Sequence, residues 1–161
     1  MIGRREFFKP FSKKEKREVV IRPPYYRDIS LFESGCVTCN GVCKTCCPEE
    51  IITIQDSKPL LVFNNSGCTY CDECAKVCEF GVLKIEDKRL IEANVSLSVV
   101  ECLSWNQTMC FSCKDVCMDD AIEFLGMFRA EIVYEKCTNC GLCVSVCPVG
   151  AIEIKGVDSG G

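Results

Sequence analysis

Four times along this chain a cysteine is followed, without a gap, by three residues, a small or branched apolar residue, an aliphatic, a polar residue and a final Ile or Phe. The copies are Cys47-Pro-Glu-Glu-Ile51-Ile52-Thr53-Ile54, Cys78-Glu-Phe-Gly-Val82-Leu83-Lys84-Ile85, Cys117-Met-Asp-Asp-Ala121-Ile122-Glu123-Phe124 and Cys147-Pro-Val-Gly-Ala151-Ile152-Glu153-Ile154. Their last residues alternate with period two, which predicts a short strand after a turn. Short apolar segments, Leu61-Val62-Phe63 and Ile132-Val133-Tyr134, stand before the second and fourth cysteine clusters. Each unit therefore reads as strand, cysteine loop, helical turn, strand.

The repeat sorts the cysteines. Units two and four read Cys68-x2-Cys71-x2-Cys74-x3-Cys78 and Cys137-x2-Cys140-x2-Cys143-x3-Cys147-Pro148. Unit one, Cys36-x2-Cys39-x3-Cys43-x3-Cys47-Pro48, carries one extra residue in Asn40-Gly41-Val42. Unit three reads Cys102-x7-Cys110-x2-Cys113-x3-Cys117, with Gln107 at the usual first position, so Cys102 must reach in across five extra residues. Cys46 is left over and is expected to be a free thiol.

Seventeen cysteines in 161 residues must be disulfides, metal ligands or both. With no histidine in the chain, the imidazole base, Cys/His nucleophile pairs, axial-His haem and mixed Cys/His zinc sites are all excluded. An odd count cannot all pair within one chain, and a reducing compartment disfavours disulfides altogether. The spacing C-x2-C-x2-C-x3-C is that of bacterial ferredoxins, where soft thiolates hold [4Fe–4S] clusters and the fourth cysteine ligates the other cluster of a pair. Zinc also accepts four thiolates, but on two well-separated CxxC knuckles.

Pairing neighbouring units then gives a ligand set for four clusters, or three if one irregular unit fails to assemble. Cys36, Cys39, Cys43 and Cys78 hold the first; Cys68, Cys71, Cys74 and Cys47 the second; Cys102, Cys110, Cys113 and Cys147 the third; Cys137, Cys140, Cys143 and Cys117 the fourth. Glu79 and Met118 stand where the other units have proline, so their N–H groups are expected to tune cluster potentials. The expected fold is α+β: two tandem bacterial-ferredoxin-like modules, residues 30–95 and 96–161, after a basic arm and Pro-rich spacer over 1–29.

Residues 1–22 hold eight basic and three acidic side chains, a charge of +5, whereas the remainder holds 11 basic and 20 acidic, a charge of −9. Such a body is not expected to bind nucleic acid. The arm is read as a solvated tail or as a hook for an acidic partner, with Phe7, Phe8 and Phe11 as anchors. Arg22-Pro23-Pro24-Tyr25-Tyr26 is expected to be a stiff extended spacer. Gly3-Arg4-Arg5-Glu6-Phe7-Phe8-Lys9 resembles a twin-arginine export box, but a polar stretch follows it instead of an apolar h-region, and no apolar run reaches membrane-spanning length. A cytoplasmic protein without stable membrane insertion is expected, and no residue set for substrate chemistry is visible, so an enzyme is not.

Taken together, the order of the sixteen repeat cysteines, the x7 gap from Cys102 to Cys110 and the Ile21-Arg22-Pro23-Pro24 segment resemble the NapF-type ferredoxins from about Ile21 to Ile154. That resemblance implies an iron–sulfur accessory protein of periplasmic nitrate reductase systems. It implies contact with the cytoplasmic precursor of the molybdenum-containing catalytic subunit and a part in its maturation, with an unknown redox donor. A polyferredoxin subunit carrying electrons inside a larger oxidoreductase is the rival reading. A DNA-binding iron–sulfur regulator would need a basic helix-turn-helix, and none is present.

Overall fold

A computed structural model describes residues 19–157. The elements are α1 (Leu31–Gly35), α2 (Val42–Thr45), β1 (Ile52–Gln55), β2 (Lys58–Leu61), α3 (Glu73–Lys76), β3 (Ala93–Leu97), α4 (Ser112–Asp115), β4 (Ile122–Phe124), β5 (Ala130–Ile132), α5 (Leu142–Ser145) and β6 (Ile152–Gly156), with a 3₁₀ turn at Ile85–Asp87.

The repeat is visible as a repeated backbone. In each unit the third cysteine is the second residue of a single helical turn: Cys43 in α2, Cys74 in α3, Cys113 in α4 and Cys143 in α5. Three of these turns are entered through a left-handed residue, Gly41 (φ 69°), Asp72 (φ 65°) and Gly141 (φ 79°). The fourth cysteine follows two residues after each turn ends. Three residues later the chain is left-handed again, at Glu50, Gly81, Asp120 and Gly150. There the N–H donates back to the carbonyl of Cys47, Cys78, Cys117 or Cys147, at 3.1–3.3 Å. This reversal ends the helix after one turn and sends the chain into the following segment. In units one, three and four that segment is β1, β4 and β6.

All strand pairs are antiparallel. The hairpins β1–β2 and β4–β5 set Ile52 opposite Leu61 and Ile122 opposite Ile132, while β3 closes on the distant β6 with Val95 opposite Ile154. Alternation directs Ile52, Val95, Ile122 and Ile152 inward and Thr53, Asn94, Glu123 and Glu153 outward.

Unit two departs from expectation: Val82-Leu83-Lys84-Ile85 is not a strand. Its neighbour is the segment Ile21–Tyr26, and Pro23 and Pro24 have no N–H with which to build a ladder. Only isolated bonds form, from Lys84 N–H to the Tyr25 carbonyl (2.7 Å) and from Arg89 N–H to the Pro24 carbonyl (2.9 Å). Val82 and Leu83 are buried all the same, so the pattern marks inward residues correctly while the ladder is missing.

The same segment corrects the spacer reading. Residues 21–26 are built into the N-terminal core, where Pro23, Pro24, Tyr25 and Phe32 are fully buried. Leu61 N–H donates to the Ile21 carbonyl (2.8 Å), and Arg22 donates from Nη1 to the Pro59 carbonyl (2.6 Å) while lying over the Phe32 ring. Tyr26 meets Phe32 edge-on at 5.1 Å and donates its hydroxyl to Glu92 (2.7 Å). Arg22 thus belongs to the body. The readings placed on Phe7, Phe8, Phe11 and the double arginine lie outside the described residues.

In the C-terminal half a smaller core of Val95, Cys113, Ile122, Ala130 and Ile152 forms under the two strand pairs. The five extra residues of unit three make a hydrogen-bonded loop: Asn106 Nδ2 donates to the Val100 and Cys102 carbonyls (2.9 and 2.8 Å), and Trp105 Nε1 donates to Ala130 (2.9 Å). Val144 and Ile154 pack against both cores.

Candidate metal centre

The cysteines converge on four separate cavities. Site I is lined by Cys36, Cys39, Cys43 and Cys78 around about 320 Å³ of empty space, part of it open to solvent. Site II gathers Cys47, Cys68, Cys71 and Cys74 around about 340 Å³. Site III takes Cys102, Cys110, Cys113 and Cys147 around about 330 Å³. Site IV takes Cys117, Cys137, Cys140 and Cys143 around about 380 Å³. Each cavity draws three cysteines from one unit and the fourth from its neighbour. The physical reason is the reversed turn: the short helix turns the third cysteine toward one cavity, and the fourth, two residues beyond, faces the next.

The donor set and its spread test what could be held there. All seventeen thiols are free of disulfides. Among the described residues, no three Cys, Asp or Glu side chains come close enough to share one metal ion. Four soft donors spread around a void of this size do not suit tetrahedral zinc, which needs all four sulfurs at about 2.3 Å from one centre. They suit a polynuclear iron–sulfur group with one thiolate per iron.

Burial, reinforced by the neighbouring cysteines, pushes Cys43 and Cys143 up to about 12. Burial likewise takes Cys68 and Cys113 up to about 11 and raises Cys74. These thiols therefore keep their protons at neutral pH until a cation compensates the charge, and metal binding must release protons. Loading of the chain with iron and sulfide should therefore acidify a weakly buffered solution beyond what iron and sulfide do alone; an unchanged pH would contradict it.

Backbone donors surround the cysteine sulfurs. The N–H groups of Leu83, Ala121 and Ala151 donate to Cys78, Cys117 and Cys147 at 3.3, 3.2 and 3.2 Å, and Gly41 N–H donates to Cys39 at 3.4 Å. Among the described residues Glu79 and Met118 make no such bond to sulfur, because the reversed turn presents the residues four or five positions beyond the fourth cysteine instead.

Several features of the sites carry no cysteine signal. Pro23, Pro24 and Tyr25 wall site II, and Tyr25 accepts a hydrogen bond at its hydroxyl from Asp72 N–H (3.2 Å). Ser104, only 2% exposed, lines site III, and its Oγ has no hydrogen-bond partner in the protein. An orphaned buried hydroxyl costs about 1–3 kcal/mol unless an acceptor arrives, and a cluster sulfur in site III would supply one. Cys46 stands where the other units have Val77, Val116 and Val146, next to the fourth cysteine, and its Sγ donates to the Cys43 carbonyl (3.3 Å) within its own turn. It lines none of the four cavities described above.

Comparison with known proteins agrees with this chemistry. The 4Fe-4S binding domain family matches residues 130–153, the stretch from β5 to β6 that carries unit four. The ferredoxin-type protein NapF of Escherichia coli (strain K12) is 29% identical over 140 residues, 84% of each chain. Its counterpart in Haemophilus influenzae is 31% identical over 142 residues, 85% of this chain and 80% of that one. The polyferredoxin protein MvhB of Methanothermus fervidus is 30% identical over 97 residues, 59% of this chain and 22% of its own length. Extended similarity over most of both chains, on top of the cysteine geometry, makes this chain a member of the NapF family of ferredoxin-type iron–sulfur proteins.

Proposed function

We propose that the chain carries four [4Fe–4S] clusters, one in each of sites I–IV, on two tandem bacterial-ferredoxin-like modules. We further propose that in the cytoplasm it binds the precursor of the molybdenum-containing catalytic subunit of periplasmic nitrate reductase and assists its maturation. The observation that carries the cluster assignment is the grouping of sixteen cysteines into four cavities of four. The partner rests on the relationship to the NapF proteins. When bound, such clusters each take up or release one electron at a time.

The protein's own residues set the conditions for that. Buried aliphatic side chains such as Ile51, Ile52 and Leu61 line site II beside the buried Cys74 and limit water there, and N–H donors at the other sites would stabilise added negative charge. Because sites I, III and IV each have a backbone N–H on a fourth-cysteine sulfur while site II has none among the described residues, site I has a second from Gly41, and site III has the extra hydroxyl of Ser104, the four potentials should be unequal. A redox titration fitted by a single one-electron midpoint would count against this. Replacing Ser104 by alanine should lower one midpoint and leave the others in place, with Ser104→Thr restoring it; four unmoved midpoints would show that the hydroxyl has no acceptor.

The polyferredoxin relative favours a second reading, an electron-carrier subunit of a larger oxidoreductase. Affinity capture with the tagged holo protein separates the two. Accessory function predicts recovery of the catalytic subunit from the cytoplasmic fraction and not from the periplasm. Recovery of a stable oxidoreductase complex lacking that subunit would favour the carrier.

A further inference from the structure

The four sites are not equivalent in position. Within the N-terminal half α2 packs on α3, and within the C-terminal half α4 packs on α5. These turns carry Cys43 of site I against Cys74 of site II, and Cys113 of site III against Cys143 of site IV. Each half thus sets its two sites side by side. Among the described residues, one cysteine-to-cysteine hydrogen bond joins the halves: Cys68 N–H donates to the Cys140 carbonyl at 2.6 Å. Cys68 lines site II and Cys140 lines site IV.

The surroundings fix that link. Gly67 lies so close to the backbone of Cys140, Gly141 and Leu142 that a Cβ there would collide with main-chain atoms. Gly141 is held in the same way under the ring of Phe63. Beside them, Tyr70 donates its hydroxyl to the Thr138 carbonyl (2.6 Å) and accepts from Ile91 N–H (3.1 Å), while Asn139 Nδ2 donates to the Ile91 carbonyl (3.0 Å). A hydrogen-bonded strap therefore runs along the cysteine loops of units two and four, the two units with regular spacing.

The geometry points to a linear electron route through the chain in the order site I, site II, site IV, site III, with the Cys68–Cys140 hydrogen bond as its crossing between halves. This rests on the four-cluster reading above. The crossing path is short and explicit: Cys68 Sγ, Cβ, Cα and N–H, then the Cys140 carbonyl, Cα, Cβ and Sγ. One electron leaves the group ligated by Cys68, oxidising it by one, and reduces the group ligated by Cys140 by one. No bond forms or breaks and no proton is required. Sites I and III, built on the two irregular units, become the ends at which electrons enter and leave.

The test uses the full-length holo protein. Iron and labile sulfide are counted first. After a flash delivers less than one electron per molecule, redistribution among clusters is followed optically, and EPR of the fully reduced protein reports magnetic interaction between neighbouring clusters. Gly67→Ala pushes the two loops apart without removing any cysteine. It should keep its full iron content, slow the crossing by about tenfold, and weaken the spin–spin interaction. Full iron with unchanged redistribution and unchanged coupling would overturn the route. If Gly67→Ala loses iron, Tyr70→Phe decides: it removes the strap's bonds to Thr138 and Ile91 without crowding, and an unchanged crossing rate there overturns the proposal. A wild-type protein holding fewer than sixteen irons would instead overturn the four-cluster reading, and the iron count alone reports that.

Discussion

Replacing Cys47 by alanine should remove one quarter of the bound iron, whereas replacing its neighbour Cys46 should remove none. The two thiols are adjacent in sequence and both partly buried, so composition and exposure do not separate them. Their places in the repeat do. Cys47 is the fourth cysteine of its unit and lines site II, while Cys46 caps its own turn at the position held by valine elsewhere. Removing the Cys46 thiol deletes one weak S–H donor and a little packing, a loss of about 1 kcal/mol or less. Removing Cys47 leaves one iron of site II without its thiolate. Iron and labile-sulfide analysis of the two variants, purified without oxygen, gives the answer. Iron loss in Cys46→Ala with retention in Cys47→Ala would reverse the assignment and displace the reversed turn of unit one with it.

Stripping the iron from the wild-type protein should unfold it. Cys36, Cys43 and Cys74 are members of the N-terminal core and Cys113 of the C-terminal one, so the thiols are structural as well as ligating. Thiolate sites of this kind do not pre-exist in an unfolded chain, so the free energy of metal binding is folding free energy, about 10–16 kcal/mol for a structural zinc site. Native domains hold only about 5–15 kcal/mol in total. The strand pairs are also short, three to five residues, and the cysteine-bearing helices are single turns. Neither supports itself in water. Treatment with an oxidant and a chelator should therefore abolish near-ultraviolet circular dichroism and amide dispersion together with the iron absorbance. A metal-free chain that keeps dispersed amide resonances would show that the cores stand alone.

Much of the candidate site is legible in the residues because the repeat is local. Spacing of two, two and three between cysteines dictates a loop, one helical turn and a reversal, and the tail pattern dictates which residues face inward. The strands β1, β4 and β6 fall where Ile52-Thr53-Ile54, Ile122-Glu123-Phe124 and Ile152-Glu153-Ile154 predict. What is not legible depends on neighbours far away in sequence. Pro23 and Pro24 read as spacer because proline favours extended chain, and nothing local announces that they wall site II and deprive Val82–Ile85 of ladder partners. Sulfur donors at Leu83, Ala121 and Ala151 follow from the direction of the reversed turn, which spacing alone leaves open. Gly67 carries no periodic signal at all. Its role comes from the backbone of residues 140–142 lying against it.

The contact between units two and four has a consequence for how this chain can vary. A residue inserted into Cys68–Cys74 or Cys137–Cys143 would shift Gly67, Tyr70 or Asn139 out of register with the loop opposite, so both loops are locked in length by each other. Among the described residues no such hydrogen bond joins the cysteine loops of units one and three. Their extra residues, one within Asn40-Gly41-Val42 and five within the Leu103–Met109 loop, fall at the two ends of the proposed order of sites. Length changes are thus absorbed at the termini of the row and forbidden at its centre. A protein laid out in this way can be refitted to a new partner at either extremity while the spacing at its middle is preserved.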